Sequence, residues 1–160
     1  MEYGETKMDL EGSPEDVVQA FLNFICKVYP AYSLVKDLTL TVDFEALLRD
    51  LSGVIAFTVE GAVVLVPKER FGKLSVRELI ALHLTKVYVG NNLGKVEKSA
   101  FSIDELLTAI GGRIGALAGR LSEMVNESFV ERVGRGEYKI TTYGIEQFQK
   151  AILPKIKQLL

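Results

Sequence analysis

The chain has 160 residues, enough for one compact domain or two small ones. Apolar residues make up 48% and charged residues 25%, so an ordinary globular core is within reach and a disordered chain is excluded. A single cysteine, Cys26, and a single histidine, His83, exclude an intrachain disulfide and a zinc site of the usual ligand sets.

The net charge of −2 is unevenly spread. Residues 1–74 hold 7 Lys/Arg against 12 Asp/Glu, and residues 75–160 hold 12 against 9. An acidic first half joined to a basic second half suits a nucleic-acid module with a partner domain. No apolar run reaches the roughly 18–20 residues of a membrane span. The acidic start MEYGETKMDLEGS does not read as a secretory signal, and Cys26 on an apolar stretch reads as a small buried hydrophobe. The expectation is a cytoplasmic protein without a membrane contact.

In chain order, residues 1–12 read as a flexible tail. Ser13-Pro14-Glu15-Asp16 opens a helix with a cap, a first-turn proline and first-turn acids. Val17, Val18, Phe21, Phe24, Ile25 and Val28 give that helix one apolar stripe, and Tyr29-Pro30 ends it. Leu38–Val42 alternates apolar and polar residues, which predicts a strand. Asp43 caps a short helix, FEALLRDL, and two apolar runs flank Glu60-Gly61 as a hairpin. Residues 13–73 are therefore expected to form an α+β unit, a small antiparallel sheet covered by helices, that dimerises or binds a protein partner or effector. The charged segment Lys68–Lys73 is the natural linker.

The second half, 74–160, is punctuated more sharply. Ser75-Val76-Arg77-Glu78 and Ser102-Ile103-Asp104-Glu105 are capping boxes that fix the starts of two helices. The first runs from Val76 to about Val89, followed by a loop at Asn91, Asn92 and Gly94. His83 lies among Leu79, Ile80, Leu84 and Val87, so it reads as a satisfied core histidine. Gly111-Gly112 breaks the second helix, and a third runs from Arg113 to Asn126 with Ile114, Leu117, Ala118, Leu121, Met124 and Val125 as its core stripe. Arg113, Ala116, Arg120 and Glu123 fall on the opposite face. The run FVERVGRGEYKIT (129–141) is a hairpin with Arg135 at its tip between two glycines, flanked by Arg132 and Lys139. Helix, turn, helix, hairpin, helix is a layout that places one helix in the major groove of DNA.

Arg120-Leu121-Ser122-Glu123-Met124, Tyr138-Lys139-Ile140-Thr141 and Gly144 carry a likeness to a known family. Over residues 75–153 the chain resembles the winged helix-turn-helix superfamily, especially archaeal regulator-like members. The resemblance implies a DNA-binding transcriptional regulator with no cofactor and no catalytic activity. Helix 113–126 would enter the major groove and wing 129–141 would lie on the backbone. The residues expected at double-stranded DNA are Arg113, Ala116, Arg120, Arg132, Arg135 and Lys139. This sequence carries Gly115, Ala116 and Gly119 where DNA-binding members have polar base-reading side chains. The alternative is a protein–protein interaction module of the same fold within a larger assembly. The closing helix, 143–160, presents Ile145, Phe148, Ile152, Ile156 and Leu159, a stripe that either pairs with a second copy, giving a homodimer, or packs within the chain. No nucleotide-binding loop, nucleophile elbow or metal cluster is present in the sequence.

Overall fold

The computed structural model describes residues 40–160 and, before them, residues 2–3, 6–7, 17, 20–21 and 24–25. The chain divides into two compact units, Met1–Leu40 and Thr41–Leu160. In the first, β1 (Glu2–Tyr3) pairs antiparallel with β2 (Thr6–Lys7), a short ladder inside the stretch expected to be a tail. Val17, Ala20, Phe21, Phe24 and Ile25 are helical, as their spacing predicts, and Phe24 is buried. The Ser13 cap, Cys26 and the Tyr29-Pro30 stop lie outside the described residues.

The second unit begins earlier than residue 74. Leu40–Val42, the described part of the expected strand, is not in a strand, because no neighbouring segment among the described residues offers it a ladder. Alternation alone cannot hold a strand without a partner. Asp43 caps α1 (Phe44–Leu51), its carboxylate accepting from the Ala46 N–H at 2.9 Å. Strands β3 (Ile55–Thr58) and β4 (Gly61–Val64) follow as a hairpin. Its two-residue loop is Val59-Glu60, one residue earlier than expected, with Gly61 (φ +133°) opening the return strand. Lys68–Lys73, expected as a linker, is a 3-10 helix. Leu47, Leu51, Val54, Ile55 and Val66 belong to the same buried cluster as the residues after 74. The core therefore crosses the expected boundary at residue 73, and the break between units falls at 40–41 instead.

Helix α2 (Val76–Asn92) is the axis of this core, running three residues beyond the expected end. Both capping boxes are made: Ser75 with Glu78 opens α2, and Ser102 with Glu105 opens α3 (Ile103–Ile110). The Ser102 amide on the Glu105 carboxylate holds that carboxyl below the usual range against the effect of burial, and Lys98 adds to it. Ser102 also closes β5 (Phe101–Ser102), a strand too short to be read from sequence, which pairs antiparallel with Tyr138 and Glu137. Gly111 and Gly112 both hold positive φ, +80° and +98°, with open space around them. They are glycines for backbone reasons, and they turn the chain into α4 (Ile114–Asn126).

At the far end of α4 the chain reverses through a Schellman arrangement. Phe129 N–H donates to Met124 O, Ser128 N–H donates to Val125 O, and Ser128 takes the left-handed position (φ 59°) usually given to glycine. Strands β6 (Val130–Gly134) and β7 (Glu137–Ile140) then form a hairpin, with an irregularity between Arg132 and Gly134 at Val133. The sheet order is β5-β7-β6, all antiparallel.

Thr141 clamps the hairpin base. Its hydroxyl donates to Ser128 O at 2.6 Å, and the same oxygen accepts the Gly144 N–H at 2.9 Å to cap α5 (Thr142–Gln147). Gly144 lies so close to the Phe129 carbonyl that any Cβ there would overlap it. After α5 comes a π-helical turn, Phe148–Ile152, in which Leu153 N–H donates to Phe148 O, and then α6 (Leu153–Lys157) with Pro154 in its first turn. Pro154 has no N–H to continue the donor ladder, and the helix is interrupted by this π turn just before it.

Ile145, Phe148, Ile152 and Ile156 are all buried in the core of this unit. The stripe on which a homodimer was expected is therefore covered within the chain. Arg70 donates to the Leu159 and Leu160 carbonyls, and Lys155 bridges Glu78 at 2.7 Å, holding the C-terminal turn against the 3-10 helix and α2. The fold is α+β with small antiparallel sheets. Among the described residues, no helix is long and apolar enough to cross a membrane.

Candidate nucleic-acid interface

Helix α4 buries Leu117, Leu121 and Met124 and turns its other side outward. Ile114, expected in the core stripe, is 52% exposed, because it is the first helical residue and projects past the end of the packed face. The outward side carries Gly115, Ala116, Gly119, Arg120 and Glu123, all exposed. Nothing lies within 4 Å of where a Cβ on Gly115 or Gly119 would stand, so these glycines are not demanded by packing inside the chain.

Arg113 is the N-cap of α4 in extended backbone, rather than its first helical residue. Its side chain makes no capping bond, and the first turn holds no acid. The N–H groups at this end are thus left without a side-chain acceptor, at the positive end of the helix dipole.

The six residues singled out from the sequence divide into two groups. Arg113, Ala116 and Arg135 are exposed, and neither arginine has a carboxylate partner among the described residues. Arg135 sits in the turn between β6 and β7, beside Gly136 at φ +74°. The other cations are engaged. Arg120 pairs with Glu123 one turn on, Lys139 pairs with Glu131 directly across the ladder at 2.7 Å, and Arg132 Nε–H donates to Gly134 O at 3.2 Å. These pairs are surface pairs, each worth about 0–1 kcal/mol, so they hold the side chains loosely. Residues 113–139 carry five cations and four carboxylates, which leaves a weak positive field over this face.

Sequence reasoning missed how α3 is tied to the hairpin. Ile103 N–H donates to Gly136 O at 3.0 Å, and β5 pairs Phe101 with Tyr138, so the α3–α4 pair and the hairpin tip form one assembly. It also missed Arg77 of α2, whose guanidinium lies 4.8 Å over the Phe129 ring and bridges Glu127, bracing the end of α4. Neither had a local signal, since both partners are distant in sequence.

Among the described residues no group of three or more His, Cys, Asp or Glu is placed to hold a metal ion. No family model, curated protein or solved structure matches this chain.

Proposed function

We propose that α2 to β7 and the helices after it form a winged helix-turn-helix module that binds double-stranded DNA and serves as a transcriptional regulator. In this reading α4 enters the major groove and the β6–β7 hairpin is the wing, resting on the phosphate backbone. The observation that carries it is the connection α2-β5-α3-α4-β6-β7 with sheet order β5-β7-β6. That connection supports reading α4 as the second helix of a helix-turn-helix, with an arginine-tipped hairpin following it.

The open N-terminus of α4, flanked by Arg113, suits a phosphate, and Arg135 at the hairpin tip suits the backbone or minor groove. Gly115, Ala116 and Gly119 let the helix backbone come close to a groove floor but offer no hydrogen bonds to bases. The expected mode is backbone contact with modest sequence preference and a strong dependence on salt. Replacing Arg113→Ala together with Arg120→Ala should abolish duplex binding while the circular dichroism spectrum stays that of the parent. Unchanged affinity in that double variant would remove α4 as the contacting helix.

A second reading, a protein-interaction module of the same shape, is favoured by one observation. Ile114 on α4 and Val133 on β6 are 52% and 46% exposed, apolar side chains that a DNA backbone would not reward. Replacing Ile114→Ser and Val133→Ser should leave DNA binding intact under the first reading and disable partner capture under the second.

A further inference from the structure

The 3-10 helix, β4, α2 and α3 line a cavity of about 240 Å³ that is open to solvent. Its walls are apolar at Val64, Val66 and Phe71 and polar at His83, Lys86 and Lys68, and Ala109 of α3 closes one side. His83 is 5% exposed, and neither ring nitrogen has a hydrogen-bond partner among the described residues. That departs from the satisfied core histidine expected of the sequence. A buried polar group without a partner is destabilising, a cost that a leucine at this position would avoid.

Lys86 is half-buried with its ammonium 5.4 Å over the Phe101 ring, and no carboxylate bridges Lys86 or Lys68 among the described residues. Burial lowers the Lys86 pKa from its ordinary value. Burial, then Lys86 and Lys68, lower that of His83 to about 4, so the imidazole is neutral at pH 7 and offers one N–H. The cavity thus has Lys68 and Lys86 and no acid among its lining residues, beside the apolar Val64, Val66 and Phe71, and the His83 ring lines it while both its nitrogens stay buried.

The missing complement is an anion with an apolar body. A free phosphate would leave the Val64, Val66 and Phe71 walls uncovered and bring more charge into a partly desolvated place, whereas a monocarboxylate brings one charge and fills the walls. The volume is just below the range of about 300–1,000 Å³ typical of drug-sized ligands, which sets the size at a single ring or a short branched chain. We propose that this cavity binds a small hydrophobic monocarboxylate, its carboxylate held by Lys86 and Lys68 and its body against Val64, Val66 and Phe71. Ala109 puts the occupant against α3, the helix preceding α4. The assignment rests on the cavity alone and holds whichever partner α4 contacts.

Because His83 is the single histidine, its ring resonances report on the cavity without ambiguity. The experiment titrates the full chain with benzoate, benzamide and inorganic phosphate, following the His83 ring by NMR and heat by calorimetry. Benzoate should move the His83 signals saturably and bind at least about tenfold more tightly than benzamide, its neutral isostere. Lys86→Met should weaken benzoate by about tenfold with the protein still folded by circular dichroism, and Lys68→Met, at an exposed position, supplies the same test should Lys86→Met unfold. Unmoved His83 signals at about 10 mM benzoate, a millimolar range in which even weak sites fill, would overturn the proposal. Equal binding of benzamide would overturn it too, as would phosphate shifting His83 as strongly as benzoate, which would mark an inorganic-anion site.

Discussion

Helices α2 and α4 are adjacent in the same core but are built on different plans. Ten of the 17 residues of α2 are buried, including His83 and Thr85, in an unbroken run from Leu79 to Thr85 that covers every side of the helix. Only three of the 13 residues of α4 are buried, and apart from Ile114 its exposed residues are small, polar or charged. A helix buried on every side along its middle becomes the axis of a domain, and one with a single buried stripe presents its other side to whatever binds it. The contrast separates stability from recognition: α2 should answer for the first and α4 for the second.

The sharpest way to break this contrast is to remove apolar volume from each helix. Leu82→Ala, at a fully buried site of α2, should lower the unfolding free energy by about 2–5 kcal/mol in a urea titration. Ile114→Ala on α4 should change it by less than about 0.5 kcal/mol. Comparable losses would mean that α4 is as much a part of the core as α2.

Acid should act through α2. The folded-state pKa of His83 is about 4, below the 6.5 of the exposed side chain, and the charged groups facing it are Lys86 and Lys68. Between these values the unfolded chain binds a proton that the folded chain refuses. The contribution is therefore complete above pH 6.5 and is lost as pH falls toward 4, up to about 3 kcal/mol. Melting across this window should show a drop in the parent that is reduced in His83→Leu, while carboxylates such as Glu78 and Glu105 titrate in both proteins. Parallel profiles would remove His83 from the account.

The smallest effect sharpens the comparison most, because it uses one glycine from each helix. A Cβ at Gly90 in α2 would stand 2.6 Å from Val96 Cγ2 and 3.3 Å from Phe57 Cε1. Gly90→Ala should therefore cost about 1–2 kcal/mol, set against a gain in helix propensity. Gly119→Ala on α4 meets nothing within the chain and should stabilise it by up to about 1 kcal/mol. Destabilisation by Gly119→Ala would mean that the outward face of α4 is not open.

Much of this architecture was legible because its signals are local. Asp43, the two Ser-x-x-Glu boxes and Gly111-Gly112 act within one helical turn, and each stands where the residues placed it. What was not legible depends on partners far along the chain. Leu40–Val42 has the alternation of a strand but no ladder, whereas Phe101–Ser102 has no pattern and becomes a strand because Tyr138 and Glu137 are there to pair with it. The expected boundary at residue 73 failed for the same reason: Leu47, Leu51 and Val66 look like the core of a separate unit until α2 is placed between them and the C-terminal helix. At the candidate interface, the sequence shows five cations but not that Arg120 and Lys139 are answered by Glu123 and Glu131 while Arg113 and Arg135 stand open. His83 carries no mark of a cavity, since Lys68 reaches it from 15 positions away through the turn of the 3-10 helix.

The central claim is that the α4 face and its hairpin contact nucleic acid. Fluorescence anisotropy of a labelled random-sequence duplex, titrated with the full chain at about 50 and 200 mM salt, tests it most directly. The account predicts saturable binding at the lower salt that weakens steeply at the higher. Absence of binding at the lower salt would contradict it and assign the same face to a protein partner.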